Sequence, residues 1–277
     1  MTKKILKIKR QLLDIYQKIH ELRTVEGKHT DALTNQLKKI CTTAPTDISE
    51  KILLDRDISS KAAAFRKFYA TYGSSSESEW SKKIFDSTDP EKELLTFPSY
   101  KRYARRVALE YYFAQSLAEK PVKKCLFIGG GPLPLTAILM HRLFNVRVDI
   151  LDIDVQAVIR SKKMLRAIGL NKYVKVYQYD AYLFERYHTY DYIVMAAMVG
   201  ETPKQKNILI KKIGLQIKNN AVLSVRSSCD LKKLLYTPVE QKSFDDLKMQ
   251  FIWHPCSSLN TNSNIIYQKE KTYGRSR

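Results

Sequence analysis

The sequence is poor in the residues that interrupt regular structure, with only 9 glycines and 9 prolines among 277 residues. This composition excludes collagen-like and low-complexity chains, and 44% hydrophobic residues indicate a globular protein with a sizeable core. Cysteine is also scarce. The four cysteines, Cys41, Cys125, Cys229 and Cys256, are too far apart for a metal knuckle or a C-x-x-C redox pair, so we expect reduced thiols in a cytoplasmic protein.

Long apolar runs are missing as well. Nowhere do about 18 apolar residues follow one another, as a transmembrane helix requires, and charges recur through the N-terminal stretch where a signal peptide would be apolar. Acidic residues number 28 against 48 lysines and arginines, a formal charge of +20. Such a charge favours nucleic-acid binding, but the lysines are spread along the whole chain, as on a solvated surface. We therefore predict a soluble protein without a membrane or nucleic-acid partner, with nucleic-acid binding as a competing hypothesis.

The few glycines are concentrated at residues 129–131. The apolar residues 125–128 precede them, and a helical pattern begins at Leu135, so this segment predicts a strand, a tight turn and a helix. Glycine lets the backbone approach a ligand closely, and the helix N-terminus behind the turn offers unpaired N–H groups. Together these features favour the binding of a nucleotide.

A second predicted strand ends in an acidic pair, Asp152 and Asp154. The pair lies about 20 residues after the glycines, where an acidic side chain that binds ribose hydroxyls is expected. The match to a dinucleotide fingerprint is incomplete, because Pro134 takes the place of its third glycine. We therefore predict a nucleoside site, but not an ordinary NAD site.

The chain changes character near residue 120. Before it the apolar spacing is helical; after it strands and helices alternate, which predicts a parallel sheet covered on both faces, with ligands at the carboxyl ends of the strands. The predicted helices include 1–23, 30–42, 46–54, 58–72 and 104–118, and the predicted strands are 125–128, 148–153, 174–179, 191–196, 221–226, 250–254 and 264–268.

Two signals predict a break within the helical part. Gly73 is a natural C-cap for the helix that starts at residue 58. Ser76 and Glu79 then have the spacing of a capping box. This interpretation places Glu77 in the first turn of a new helix, where a glutamate favours the helix dipole.

Five collinear stretches between about residues 60 and 240 resemble the nicotianamine synthase family, in its bacterial and archaeal branch. The glycine loop at 129–136 carries the double proline that separates this family from ordinary methyltransferases. The other four stretches are Arg-Lys-Phe-Tyr at 66–69, Phe-Pro-Ser-Tyr-Lys-Arg-Tyr at 97–103, Ala-Ala-Met-Val-Gly at 196–200, and the segment 225–239 that begins Val-Arg-Ser-Ser.

This resemblance implies a Rossmann-like class I S-adenosylmethionine-dependent transferase domain, residues 119–277, whose active site is covered by an N-terminal helical bundle, residues 1–118. It implies that S-adenosylmethionine gives up its 3-amino-3-carboxypropyl (aminobutyrate) group, not its methyl group, to the amine of an amino-acid acceptor and releases methylthioadenosine. The product would be a metallophore, passed to an opine-type dehydrogenase or an exporter. We expect no metal in the enzyme, and an oligomer is compatible with the family.

The resemblance also assigns catalytic roles. Glu77 aligns with the essential glutamate as the base for the acceptor amine, and Tyr103 would orient that amine or relay its proton. The alternatives are a glutamate that only favours the helix dipole and a tyrosine that only packs in the core. Phe127 stands two residues before the first glycine, where methyltransferases usually carry an acid, which indicates that the methionine arm is held differently.

The remaining predicted contacts are each open to a structural alternative. Asp152 would bind the ribose, with Asp154 as its substitute or as a helix cap. Asp180 would accept from the adenine amino group or cap a helix. Arg226 would clamp a substrate carboxylate or form a structural ion pair. The predicted S-adenosylmethionine-binding set is Gly129, Gly130, Gly131, Pro132, Leu133, Thr136, Asp152, Ile153, Asp180, Ala181, Ala197 and Met198; the predicted acceptor-binding residues are Tyr103 and Arg226.

A methyltransferase that acts on a small molecule or a nucleic acid is the alternative function. A polyamine-type aminopropyltransferase is disfavoured, because it needs carboxylates for its polyamine and this chain is rich in lysine.

Overall fold

A computed structural model describes residues 3–22, 24, 27–244, 247–254 and 262–269. The elements described up to residue 117 are helices, and a sheet with further helices follows. The helices are α1 (Lys3–Glu21), α2 (Lys28–Thr43), α3 (Thr46–Leu54), α4 (Arg56–Ser59), α5 (Ala62–Phe85), α6 (Pro90–Leu95), α7 (Tyr100–Leu117), α8 (Leu135–Phe144), α9 (Val155–Ala167) and α10 (Pro203–Gln216).

The seven strands in the described part of the chain form one sheet. They are β1 (Lys124–Ile128), β2 (Arg147–Asp152), β3 (Val174–Gln178), β4 (Tyr192–Met195), β5 (Val222–Ser227), β6 (Leu247–Trp253) and β7 (Ser263–Lys269).

The order across the sheet is β3-β2-β1-β4-β5-β7-β6. The first five strands are parallel, whereas β7 runs antiparallel between β5 and β6. Strand order reverses between β1 and β4, so a crevice opens at their carboxyl ends. Strand β4 is buried along its whole length, as expected for a central parallel strand covered on both faces. The predicted strands and the closing hairpin are confirmed.

The predicted break at Gly73 is wrong. Helix α5 runs without interruption for 24 residues, through Gly73 and the proposed capping box. Phe65 and Phe68 before the glycine and Ile84 after it are all buried. A glycine inside a helix costs about 1 kcal/mol relative to alanine, and this packing at both ends outweighs that cost. Glu77 therefore lies in the middle of a helix, not in a first turn.

Three apolar clusters hold the layers together. One joins α5, α6 and α7 to the face of the sheet that α8 and α9 also cover. Another fills the opposite face beneath α10. The third lies among helices α1 to α5 and includes Leu231, Leu234 and Leu235 from the segment after β5. The helical half of the chain and the sheet half therefore share buried surfaces.

Cys41, Cys125 and Cys229 are free thiols, while Cys256 lies outside the described residues. Over the part of the chain that the structure describes, no helix is long and apolar enough to cross a bilayer.

Candidate active site

The glycine loop follows β1 at the crevice. Gly129 and Gly131 have φ values of +80° and +67°, in the left-handed region that favours glycine. A Cβ atom on Gly129 would lie 2.6 Å from a methyl group of Val199, in the loop after β4. The loops after β1 and β4 are therefore in direct contact, as expected at the switch point of the sheet.

The carboxylate of Asp152, at the end of β2, is tied to this loop. One of its oxygens accepts from the N–H of Gly131 at 2.7 Å, and the other accepts from the N–H of Asp154 at 3.0 Å. Asp154 itself caps α9, since its side chain accepts from two backbone N–H groups of that helix. Of the two roles considered for Asp154, the structure gives it the cap.

Helix α5 brings Glu77 to the same loop. Helix α5 packs against α9, the helix that follows Asp152 in the sequence. A Cβ atom on Gly131 would lie only 2.8 Å from Oε2 of Glu77, so the carboxylate rests directly on the glycine backbone. The hydroxyl of Tyr103, on α7, points at Oε1 of Glu77 at 3.5 Å, which is a long hydrogen bond. The predicted catalytic pair therefore meets, and it meets above the predicted nucleoside loop.

The surroundings of Glu77 favour its protonated form. Burial raises its pKa to about 8, and the charge of Asp152 adds to this effect. The hydrogen bond from Tyr103 and the positive charges of Arg226 and Arg106 act in the opposite direction. Burial and the charge of Glu77 raise the pKa of Tyr103 to about 12, so this hydroxyl remains a donor. A carboxylate that titrates near neutral pH is suited to accept a proton from an amine.

Arg226 lies beneath the site in a buried network. Its Nε and Nη2 donate to the two carboxylate oxygens of Glu110 at 2.9 and 2.8 Å, and Nη2 also donates to the hydroxyl of Thr136 at 2.9 Å. Asn264 donates to the same carboxylate at 3.0 Å. The guanidinium of Arg226 lies 5.4 Å from the ring centre of Phe127. The structural ion pair considered for Arg226 is present, and the substrate clamp stays a prediction.

The other predicted residues are distributed around the crevice. Asp180 follows β3, two strands from the glycine loop, and accepts from the N–H of Tyr182 at 2.8 Å. Leu133 is buried in the core, whereas Ile153 is 70% exposed. The sheet thus brings the ends of β1, β2 and β4 together and leaves Asp180 at the far end of the crevice. Ala181 and Ala197 are buried, and Met198 is 42% exposed.

Lys206, on α10, was not predicted. It is fully buried, and its Nζ donates to the carbonyls of Ala197 at 2.8 Å, Thr237 at 2.8 Å and Arg226 at 3.3 Å. Burial lowers its pKa to about 7, and the charge of Arg66 acts in the same direction. Lys206 fastens the loop after β4 to the end of β5. Helical spacing could have indicated its burial, because Leu209, Ile210 and Ile213 follow it at intervals of three, four and seven residues and share its buried face.

Arg106 was also missed. It is buried, and its guanidinium lies 5.1 Å from the ring centre of Tyr103. The interval of three residues on one helix places both side chains on the same face, so helical spacing could have indicated this neighbour. Among the described residues, no group of three or more His, Cys, Asp or Glu side chains could hold a metal ion.

Comparisons with known proteins agree on one family. A family model described as "Nicotianamine synthase protein" matches residues 2–273. Nicotianamine synthase 1 of Arabidopsis thaliana is 26% identical over 268 residues, which cover 94% of this chain and 83% of the relative. Nicotianamine synthase of Solanum lycopersicum is 24% identical over 265 residues, which cover 94% and 82%.

Solved structures confirm the fold. The crystal structure of MtNAS in complex with MTA and tNA aligns with a TM-score of 0.83 at 22% identity, over 98% of this chain and 100% of that one. The predicted Rossmann-like transferase fold with N-terminal helices is thereby confirmed. The match to the family model spans nearly the whole chain, and the chain belongs to the nicotianamine synthase family.

Proposed function

We propose that the protein transfers the 3-amino-3-carboxypropyl group of S-adenosylmethionine to the amine of an amino-acid acceptor, with methylthioadenosine as the second product. It is a transferase of the nicotianamine synthase family, with S-adenosylmethionine as co-substrate. One observation carries the mechanistic proposal: Glu77 touches Gly131 through one carboxylate oxygen and faces the Tyr103 hydroxyl with the other. A proton acceptor thus stands on the loop that would hold the nucleoside.

The residues at the crevice fit the co-substrate. Gly131 has a positive φ, and its missing side chain leaves room for the Glu77 carboxylate, which a Cβ atom would meet at 2.8 Å. Asp152 lies at the end of the neighbouring strand, where a ribose would be recognised, and Asp180 lies one strand further on for the adenine. Backbone at residues 197–200, held by Lys206, would line the methionine arm.

S-adenosylmethionine, when bound, supplies a sulfonium whose aminobutyrate carbon is open to displacement. In the transfer, the C–N bond forms as the C–S bond breaks, and the sulfur keeps the electron pair. Glu77 accepts the proton that the acceptor amine must lose, either before or during attack. Tyr103 keeps its proton and orients the amine beside the carboxylate. By holding both groups above the loop, α5 and α7 determine which sulfonium carbon faces the nucleophile.

The helical residues 1–118 would act as the cover of this site. Helices α5 and α7 supply Glu77 and Tyr103, and α1 to α5 share a core with the segment after β5. Placing the amine, its base and the sulfonium beneath one cover would exclude water.

We further propose that the product is a metallophore formed in the cytoplasm. An aminobutyrate unit joined to an amino acid carries several amine and carboxylate donors, which bind metal ions together. An opine-type dehydrogenase or an exporter would be the next protein to receive it.

The test is to incubate the purified protein with S-adenosylmethionine and a panel of amino acids, and to identify the nucleoside product by mass spectrometry. We expect methylthioadenosine. Glu77→Gln should retain S-adenosylmethionine binding while transfer falls about 100-fold or more, whereas Glu79→Gln, an exposed neighbour on the same helix, should transfer normally.

S-adenosylhomocysteine as the only product would support the alternative, a methyltransferase. The charge of +20 favours a nucleic-acid substrate for that alternative. Phe127, at the position where methyltransferases usually carry an acid, favours the transfer of the larger group.

A further inference from the structure

A lysine side chain is buried beneath the loop that follows β4. Lys206, near the start of α10, is fully buried, and its Nζ donates to the carbonyls of Ala197 and Thr237 at 2.8 Å and of Arg226 at 3.3 Å. An ammonium group has three donors, so these carbonyls satisfy it completely. None of the ion pairs among the described residues includes Lys206. Its burial is therefore compensated only by the chain segments that it joins.

The three carbonyls belong to separate segments. Ala197 lies in the loop after β4, Arg226 lies near the end of β5, and Thr237 lies in the segment after β5. Thr237 makes a second connection, because its hydroxyl donates to the carbonyl of Glu201 at 3.0 Å. The loop after β4 is thus held near its start by Lys206 and near its end by Thr237.

The turn that closes this loop packs on the lysine itself. Gly200 has a φ of +78°, and a Cβ atom there would lie 2.8 Å from Cγ of Lys206 and 3.2 Å from its backbone nitrogen. The side chain of Gln205 accepts from the N–H groups of Glu201 at 2.9 Å and Thr202 at 3.1 Å, which closes the capping box of α10. The course of the loop therefore depends on where the stem of Lys206 lies.

The same loop is in contact with the glycine loop. A Cβ atom on Gly129 would lie 2.6 Å from a methyl group of Val199 and 3.2 Å from Cβ of Ala196. The N–H of Ala196 also donates to the carbonyl of Ile128 at 3.0 Å. A displacement of the loop after β4 would therefore be felt directly at the candidate site.

The order of the strands indicates which part of the co-substrate would meet this loop. Asp180, Asp152 and the glycine loop follow β3, β2 and β1, where the adenine, the ribose and the sulfonium would lie in that order. Strand β4 is the next strand across the sheet. The methionine arm, which continues beyond the sulfur, would therefore lie against residues 197–200, while the nucleoside would lie over the other strands.

We propose that Lys206 is a positioning residue for the methionine arm, because it fixes residues 197–200 in the shape that binds this arm. This proposal rests on the proposed function, since it assumes S-adenosylmethionine in the crevice. Loss of the ammonium group should weaken the binding of ligands that carry the arm and leave nucleoside binding intact. A lysine needed only for folding would affect both kinds of ligand alike.

The test is isothermal titration calorimetry on the purified full chain without an acceptor. S-adenosylmethionine and S-adenosylhomocysteine carry the arm, whereas methylthioadenosine is the same nucleoside without it. Lys206→Met keeps most of the stem and removes all three donors, and Lys206→Gln leaves an amide with two. Lys204→Met removes an exposed charge from the same helix and serves as the matched control.

We expect Lys206→Met to weaken the binding of both arm-bearing ligands about 10- to 100-fold, with methylthioadenosine within about 3-fold of wild type. Lys206→Gln should show the same selectivity with a smaller loss, about 3- to 10-fold. Lys204→Met should bind all three ligands like wild type. Should Lys206→Met fail to fold, Lys206→Gln decides in its place.

Equal losses for methylthioadenosine and S-adenosylmethionine would overturn the proposal, as would unchanged affinities for all three ligands. Wild type that binds none of the three would remove the proposed function, and this proposal with it. Wild type that binds them but releases no methylthioadenosine with any amino acid would remove the transfer alone, and the affinities would still decide the role of Lys206.

Discussion

The pKa of Glu77 sets how the rate of transfer should depend on pH. Because burial raises that pKa to about 8, only about a tenth of the free enzyme carries the ionised base at pH 7. The pH profile of kcat/KM reports groups of the free enzyme and free substrate. We therefore expect kcat/KM to rise about tenfold for each pH unit on the acid side and to level off near pH 8.

Two substitutions should move this inflection in opposite directions. Tyr103→Phe removes a hydrogen bond that lowers the pKa of Glu77, and Asp152→Asn removes a charge that raises it. A hydrogen bond contributes about 0.5 to 1.5 kcal/mol, and one pH unit corresponds to about 1.4 kcal/mol. The Tyr103→Phe inflection should therefore lie about half a unit to one unit above wild type. The Asp152→Asn inflection should lie below wild type.

The assay is methylthioadenosine release at limiting substrate between about pH 6 and pH 9.5. The acceptor amine titrates identically with every enzyme, so differences between the profiles report Glu77 alone. Glu79→Gln should keep the wild-type inflection. One inflection common to wild type, Tyr103→Phe and Asp152→Asn would refute the assignment of Glu77 as the titrating base, as would a wild-type kcat/KM that does not fall between about pH 8 and pH 6, because a glutamate with its ordinary pKa of 4.5 stays ionised over that range.

Four further outcomes follow from the same structure. The raised pKa of Glu77 means that its contribution to stability is present below pH 4.5 and is lost as the pH rises through about 8. Glu77→Gln should therefore be stabilised relative to wild type by about 1 to 3 kcal/mol at pH 9, after allowance for partial solvent access; thermal melts with no larger difference at pH 9 than at pH 4 would contradict this. Gly131→Ala should lose about 1 to 2 kcal/mol from its positive φ and also displace Glu77, so urea stability and transfer should both fall. Gly73→Ala, in open space inside α5, should gain about 1 kcal/mol and transfer normally. Glu110→Ala leaves Arg226 buried without its carboxylate and should cost about 3 to 5 kcal/mol in urea unfolding; a loss below about 1 kcal/mol would show that the pair is dispensable.

Local patterns predicted the strands, the glycine loop and most helices. The alternation of apolar residues and the special conformations of glycine depend on neighbours in sequence, so residues 125–131 could be assigned as strand and turn directly. The same local reasoning was wrong at Gly73. A glycine followed by serines resembles a helix end, but the packing of Phe65 and Ile84 at opposite ends of α5 keeps the helix intact.

The side-chain partners could not be predicted in the same way. Arg226 was open to two roles, and only the approach of Glu110 from α7 decided that it forms an ion pair. The three carbonyls around the ammonium group of Lys206 come from separate segments, which only the tertiary structure brings together. Both interactions join residues distant in sequence, so no local pattern identifies the partners.

The sequence by itself determined that the chain makes a strand, a glycine turn and a helix at residues 124–144, because those conformations arise from nearby residues. It also contained the motifs of its family. Only the tertiary structure decided that Glu77, in the middle of α5, rests on Gly131 beside Tyr103. The physical reason is that the pKa of a carboxyl group depends on its burial and on nearby charges. Both are set for Glu77 when α5 packs over the sheet.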